Sequence, residues 1–298
     1  MLKEARTQFR TIRDLLRYGV SRLHAAQAVF GHGSQNVYDE AAYLILHTLQ
    51  LPLDLLEPFL DARLTEAEIN SVMQILDRRA KMRVPAAYLT QEAWLGEHRF
   101  YVDERVIVPR SFIAELIPQQ LAPWLEKPEK VKRILDMCTG SGCLGILLAL
   151  AFPEAEVDAV DISPDALAVA TRNVKEYGLE DRVRLVESDM FEKLDTKQRY
   201  DLIISNPPYV DWKSMADLPK EYRHEPELAL AGGEDGLMFI RNLLRGSRAH
   251  LNRGGKLLVE IGHNRKVLEA AYPDTPFTWV SVAAGDEFVF LLSQDQLT

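Results

Sequence analysis

From residue 133 onward, short apolar runs alternate with helix-period stretches, and this alternation constrains the fold more than any other feature. Residues 134–138, 157–161, 183–187, 202–205 and 256–261 are apolar-rich segments that read as strands. Helical stretches at 143–152 and 164–177 separate the first three. The second of these has Ser163 as N-cap and Pro164 at its first helical position. Helices at 234–251 and 267–271, and two closing strands at 277–282 and 287–292 joined at Ala283-Ala284-Gly285-Asp286, complete the series. Continuous apolar strands are buried on both faces, and strand–helix–strand repetition makes neighbours parallel. The predicted fold is therefore α/β, a mainly parallel sheet covered on both faces with an antiparallel final hairpin.

The N-terminal part reads differently. Residues 3–30 carry apolar positions at helical spacing, including Phe9, Ile12, Leu15, Leu16 and Leu23, until Gly31-His32-Gly33 breaks the run. A second helix is expected at 41–49, with Asp39 near its start. A third begins after Thr65, which with Glu68 forms a capping box, and runs toward Arg83. Residues 94–102 and 106–108 read as two strands joined by Asp103-Glu104-Arg105, followed by a helix over 112–124. The expected organisation is a helical, substrate-docking domain at 1–88, a hairpin and linker helix at 89–126, and the α/β domain at 127–298.

Composition narrows the function classes. Of 35 basic and 44 acidic residues, the first 100 positions hold 12 of each sign, so the whole net charge of −9 resides in the rest. An acidic α/β half argues against direct DNA binding through phosphates, and it suits a basic protein partner. Cys138 and Cys143 lack the partners of a metal site or disulfide framework. No apolar run reaches membrane-spanning length and no apolar leader opens the chain, so a reducing, cytoplasmic setting is expected.

Asp136-Met137-Cys138-Thr139-Gly140-Ser141-Gly142 lies between the first α/β strand and its helix. Ligands of open α/β sheets bind outside the carboxyl ends of strands at the switch point. Gly140 and Gly142 let backbone approach a ligand closely, although the third glycine of the dinucleotide fingerprint is missing. The next two strands also end in acids. Asp161 can accept both hydroxyls of a ribose. Asp189 can accept an adenine amino proton, with Met190 against the ring. One acid at a strand end is an ordinary cap or turn residue; three beside a glycine loop point to a nucleoside-type cofactor.

The fourth strand ends in Asn206-Pro207-Pro208-Tyr209. Two prolines fix φ and remove two donors, leaving carbonyls free to accept. Asn206 adds an amide and Tyr209 a flat aromatic face. The turn forms a cup for a planar nitrogen, such as an amide or the exocyclic amine of a base.

Together these segments resemble the S-adenosylmethionine-dependent amino-methyltransferases, and within them the N5-glutamine methyltransferase family. The resemblance spans nearly the whole chain, including Pro85-Ala86-Ala87-Tyr88-Leu89-Thr90, Ile107-Val108-Pro109-Arg110-Ser111 and Ala231-Gly232-Gly233-Glu234-Asp235-Gly236. It implies a Rossmann-like class I sheet with a small helical N-terminal domain and a β-hairpin linker. It also implies S-adenosylmethionine as methyl donor, with S-adenosylhomocysteine as product, and no metal. The implied cofactor residues are Asp136, Cys138, Thr139, Gly140, Gly142, Asp161, Ile162, Asp189, Met190 and Asn206. The implied substrate residues are Asn206, Pro207, Pro208 and Tyr209, with Asn206, Pro207 and Tyr209 catalytic.

The family has two main bacterial branches, one acting on peptide release factors at Gly-Gly-Gln and one on the third protein of the large ribosomal subunit. This chain departs from the first branch, which usually has glycine at Cys138 and proline plus an acid after Pro109-Arg110. Gly31-His32-Gly33, Asn36, Tyr38-Asp39-Glu40-Ala41 and Tyr43-Leu44 are similar to the second. The ribosomal-protein branch is therefore the expectation; release-factor methylation and adenine N6 methylation of DNA or RNA are the alternatives. In the implied reaction the Asn206 side-chain oxygen and the Pro207 carbonyl accept the two amide protons, Tyr209 packs on the amide plane, and no general base acts before attack. His263 reads as a capping or solvated histidine, and both cysteines as packing residues.

Overall fold

A computed structural model describes residues 8–297; the start of the helix expected over 3–30 lies outside them. Two compact units emerge. One gathers the described residues up to Ala93 together with Pro219–His224; the other comprises Trp94–Leu218 and the described residues from Glu225 onward.

The first unit is helical. Helix α1 (Ile12–Ala25) starts at a capping box of Thr11 and Asp14, and α2 (Val37–Thr48) starts at Asn36, whose side chain accepts from Tyr38 N and Asp39 N. That N-cap sets α2 earlier than the expected start at Ala41. Helix α3 (Glu66–Asp77) has the expected Thr65–Glu68 capping box and continues into a π-helical turn, Arg78–Met82; the short α4 (Ala86–Thr90) follows. Ile12, Leu15, Leu44, Ile45, Val72 and Leu76 meet in the core, as the 3.6-residue period requires. A buried charge cluster sits in this unit. Arg79 Nε donates to Glu40 at 2.6 Å and Nη1 to Glu221 at 3.0 Å, while Arg83 Nε donates to Glu221 at 2.6 Å. Burial alone would raise the Glu221 carboxyl, but these guanidinium bonds hold it at about 2.

The hairpin differs from expectation. It pairs β1 (Glu92–Leu95) with β2 (His98–Tyr101), and Gly96 at φ +61° supplies the turn. Residues 106–108 form no strand; Asp103 Oδ1 accepts Arg105 N and closes a tight turn before them. The expected helix over 112–124 is also absent. Two 3-10 turns, Phe112–Glu115 and Ile117–Gln119, take its place, because Pro118 lacks the donor a continuing α-helix needs and Gln120 and Leu121 turn to positive φ.

The second unit carries a seven-stranded sheet in the order β5-β4-β3-β6-β7-β9-β8. Its strands are β3 (Arg133–Met137), β4 (Glu156–Asp161), β5 (Val183–Glu187), β6 (Tyr200–Ser205), β7 (Leu251–Glu260), β8 (Thr278–Val282) and β9 (Gly285–Ser293). Strands β3 to β7 are parallel, and β9 pairs antiparallel with β7 and β8. Successive strand residues face opposite cores: Ile134, Leu202, Ile204 and Leu258 pack beneath α5 (Cys143–Ala151), while Leu135, Ile203, Leu257 and Val259 pack against α8 (Met238–His250) and α9 (Arg265–Ala271). Helix α6 (Pro164–Glu176) is capped by Ser163, as expected. The remaining helix is α7 (Trp212–Asp217). Helix α8 starts later than the expected 234, because Gly236 sits at φ +76° just before it. The chain leaves β3 toward β4 and β5, then returns to β6 on the other side of β3. That reversal is the switch point where open sheets bind ligands. Among the described residues no helix is long and apolar enough to cross a membrane.

Candidate active site

At the carboxyl ends of β3, β4 and β6 lies a cleft, within the second unit. Its floor is the loop after β3. Cys138, Gly140 and Gly142 take positive φ of 63°, 56° and 80°, which turns the chain sharply into α5. Around Gly140 no atom lies within 4 Å of where a Cβ would sit, and this residue lines the cleft with Cys138 and Thr139. Gly142 serves packing instead: a Cβ there would come 3.2 Å from Ala170 Cβ on α6. Asp136 lies beneath the loop, 1% exposed, and does not line the cleft. Its Oδ2 accepts from Thr139 Oγ1 at 2.5 Å and from Gly145 N at 2.9 Å. Burial outweighs these donors and pushes its carboxyl up to about 7.

The acids after β4 and β5 do reach the cleft. Asp161 lines it while Oδ2 accepts from Gly140 N at 2.8 Å and Oδ1 from Ser163 N at 2.9 Å. The two bonds orient the carboxylate at the loop; burial raises its pKa. Ile162, 45% exposed, Asp189 and the buried Met190 line the same wall. The fit to a nucleoside-type ligand is good: open space over Gly140, acid acceptors at two strand ends and apolar surface between them. Burial pushes the Cys138 thiol up strongly and that of Cys143 to about 12, so neither sulfur is primed as a thiolate.

Opposite stands the turn after β6. Ser205 Oγ donates to Met137 O at 2.7 Å, tying the ends of β6 and β3 together. Asn206 lines the cleft, and its Nδ2 donates to Arg110 O at 3.1 Å. Pro208 lines it as well; Pro207 is buried, and neither it nor Tyr209 is among the lining residues. Tyr209 is instead fastened behind the turn. Cβ atoms added to Gly232, Gly236 and Gly262 would fall 2.7 Å from Tyr209 Cα, 2.5 Å from its carbonyl oxygen and 2.6 Å from its ring. Gly232 and Gly236 thus admit the backbone at Tyr209, and Gly262 admits its ring. Asn264 Nδ2 donates to the Tyr209 carbonyl at 2.7 Å.

Sequence reasoning missed the supports of this turn. Arg110, whose carbonyl holds Asn206, is itself clamped by Glu225, with Nη1–Oε1 and Nη2–Oε2 distances of 2.5 and 2.6 Å. Glu260, at the end of β7, receives Ser111 Oγ, Phe112 N and Tyr209 Oη. A lone acid within the apolar stretch 257–261 was the visible signal for Glu260. Nothing local marks the Arg110–Glu225 pair.

With this geometry, comparison with known proteins becomes specific. The model of the methyltransferase small domain family matches residues 118–219. The ribosomal protein uL3 glutamine methyltransferase of Neisseria meningitidis serogroup B is 58% identical over 297 residues, covering 100% of this chain and 97% of the relative. The protein of the same name from Burkholderia pseudomallei is 57% identical, covering 98% and 97%. The chain belongs to the ribosomal protein uL3 glutamine methyltransferases. It is an enzyme, and the α/β class expected from its strand pattern is that of its structural neighbours. One of these is the hMettl16 catalytic domain in complex with the MAT2A 3'UTR hairpin 6. It matches at a TM-score of 0.50 and 15% identity, covering 76% of this chain and 80% of that one, a likeness of fold.

Proposed function

We propose that this methyltransferase transfers a methyl group from S-adenosylmethionine to the side-chain amide nitrogen of a glutamine in large-subunit ribosomal protein uL3, acting in the cytoplasm. The observation that carries this reading is Asn206: an amide at the switch point, held by the Arg110 carbonyl through Nδ2, with its oxygen the remaining end. Asp161, Asp189, Gly140, Cys138, Thr139, Ile162 and Met190 form the cofactor half. Asp136 and Gly142 support that half from below. When bound, S-adenosylmethionine supplies a sulfonium-activated methyl group.

An amide nitrogen is a weak nucleophile because its lone pair is conjugated, so the task of the residues is orientation and charge stabilisation. The Asn206 oxygen and the Pro207 carbonyl accept the two amide protons, which turns the nitrogen lone pair toward the methyl. The same two acceptors stabilise positive charge as it develops on nitrogen, and that charge is lost when one N–H proton passes to water after transfer. Tyr209 supports the amide plane. The first unit serves as the docking domain for the protein substrate. The surplus acid of the α/β part, which carries the whole −9, attracts a basic partner.

The test is transfer of labelled methyl from S-adenosylmethionine to purified uL3, a peptide release factor and DNA in parallel, with the label placed by mass spectrometry. Label on one glutamine of uL3 alone is the expected result. Label on the release factor keeps the chemistry and changes the substrate; label on DNA overturns protein modification.

A further inference from the structure

Glu260 is the buried acid that the reaction as described does not use. It closes β7, is 2% exposed, and sits directly behind the Asn-Pro-Pro-Tyr turn. Its two oxygens face different ways. Oε2 accepts from Ser111 Oγ at 2.7 Å and Phe112 N at 2.8 Å; Oε1 accepts from Tyr209 Oη at 3.4 Å. Two residues on, Gly262 lays its backbone against the Tyr209 ring, where a Cβ would stand 2.6 Å from Cε2. The end of β7 therefore holds Tyr209 at its hydroxyl and along its ring edge. The segment gripped by the other oxygen matters equally, because Arg110, next to Ser111, supplies the carbonyl that orients Asn206. One carboxylate thus spans the two segments that fix both polar and aromatic parts of the cup.

We infer that Glu260 is a positioning residue for methyl transfer, setting the Tyr209 ring and the Arg110–Ser111 backbone so that the acceptor amide meets the methyl in line. It touches neither substrate nor cofactor and acts through Tyr209 and Asn206. A buried acid is a costly way to fill space. An apolar side chain would pack there without desolvation cost, but it would leave the Ser111 hydroxyl and the Phe112 N–H without their acceptor. Glutamine is the discriminating replacement, since it keeps the volume and offers one acceptor oxygen where glutamate offers two. With its oxygen on Ser111 and Phe112 it presents NH2 to Tyr209, so the tyrosine hydroxyl must turn from donor to acceptor.

The inference rests on the glutamine-transfer reading, and the experiment separates the two. Glu260→Gln, Tyr209→Phe and the double variant are compared with wild type in uL3 methylation, S-adenosylmethionine binding and thermal unfolding. The tyrosine ring resonances of carbon-13-labelled protein are recorded alongside. Glu260→Gln should lower kcat up to about tenfold, the order of one ordinary hydrogen bond, with cofactor affinity and unfolding temperature close to wild type. Tyr209→Phe should lower kcat several-fold, and the double variant should be no slower than the slower single one. The Tyr209 resonance, assigned by its loss in Tyr209→Phe, should shift in Glu260→Gln. Wild-type kcat in Glu260→Gln, multiplying losses in the double variant, or an unmoved Tyr209 resonance overturns the positioning role. If Glu260→Gln fails to fold, Glu260→Asp, which keeps the charge and withdraws it from Tyr209, takes its place with the same expected results. A wild-type enzyme that leaves uL3 unlabelled defeats the substrate assignment, and the resonance shift then decides the role of Glu260 alone.

Discussion

The two sides of the cleft use glycine in opposite ways. On the β3–β4 side, Gly140 faces open space, and its missing side chain is room for a ligand. On the β6–β7 side, Gly232, Gly236 and Gly262 face Tyr209, and their missing side chains are filled by the protein itself. The first side is a vacancy lined by acceptors; the second is a rigid block. A cofactor that must enter and leave needs the former. A weak nucleophile that must be aimed needs the latter, because small misplacement costs large factors in rate.

The contrast can be broken at several points. The largest effect belongs to Asn206→Ala, which should cut kcat about 100- to 1,000-fold, as loss of a transition-state hydrogen-bonding group does, while S-adenosylmethionine titration stays near wild type. Equal loss of binding and turnover would make Asn206 a structural residue. Next comes the pair Gly236→Ala and Gly140→Ala. Both sit at positive φ, but the first drives a methyl group into Tyr209 and Asn264 and should cost roughly 2–4 kcal/mol in denaturant unfolding. The second should cost only about 1 kcal/mol while weakening cofactor binding about tenfold. Similar stability losses in both would erase the distinction. Asp161→Ala should weaken cofactor binding by about tenfold or more with little change in kcat at saturation. An unaltered dissociation constant would remove Asp161 from the ribose.

The last effect is a slope against pH, and it joins the two sides. Burial raises Asp136 from 3.8 and Glu260 from 4.5, each to about 7. Between those limits the folded protein keeps protons that the unfolded chain has released. Their contribution is complete below about pH 4 and is lost as pH rises through about 7, at up to about 1.4 kcal/mol per pH unit for each group. Denaturant unfolding from pH 5 to 8 should show a shallower decline in Asp136→Asn and in Glu260→Gln than in wild type. Unchanged slopes would mean that both carboxyls titrate normally. Glu221 and Asp103, held at about 2, act in the opposite direction and only below about pH 4.

Much of the α/β unit was legible because its signals are local. Strand β5 spans the same residues as the apolar-rich segment 183–187, and Ser163 caps α6 where Ser-Pro predicts a start. The strand-ending residues Asp161, Asp189 and Asn206 line one cleft because parallel strands bring their carboxyl ends to one edge. What escaped reading depends on partners far along the chain. The run 112–124 has helical composition, yet Pro118 breaks the ladder and the segment packs as 3-10 turns. Asp136 resembles its neighbours in sequence, but its depth turns it toward Thr139 and Gly145. Gly232 and Gly236 read as loop residues until Tyr209 fills the space beside them.

The bond from Asn206 Nδ2 to the Arg110 carbonyl has a consequence for fidelity. The side-chain amide cannot rotate end for end without losing it, so oxygen is the end left for an incoming group. A glutamine meets that oxygen with N–H. Its deamidation product, glutamate, meets it with a second oxygen, and two acceptors repel. On the proposed role of Asn206, this arrangement would favour an intact substrate over one aged by hydrolysis.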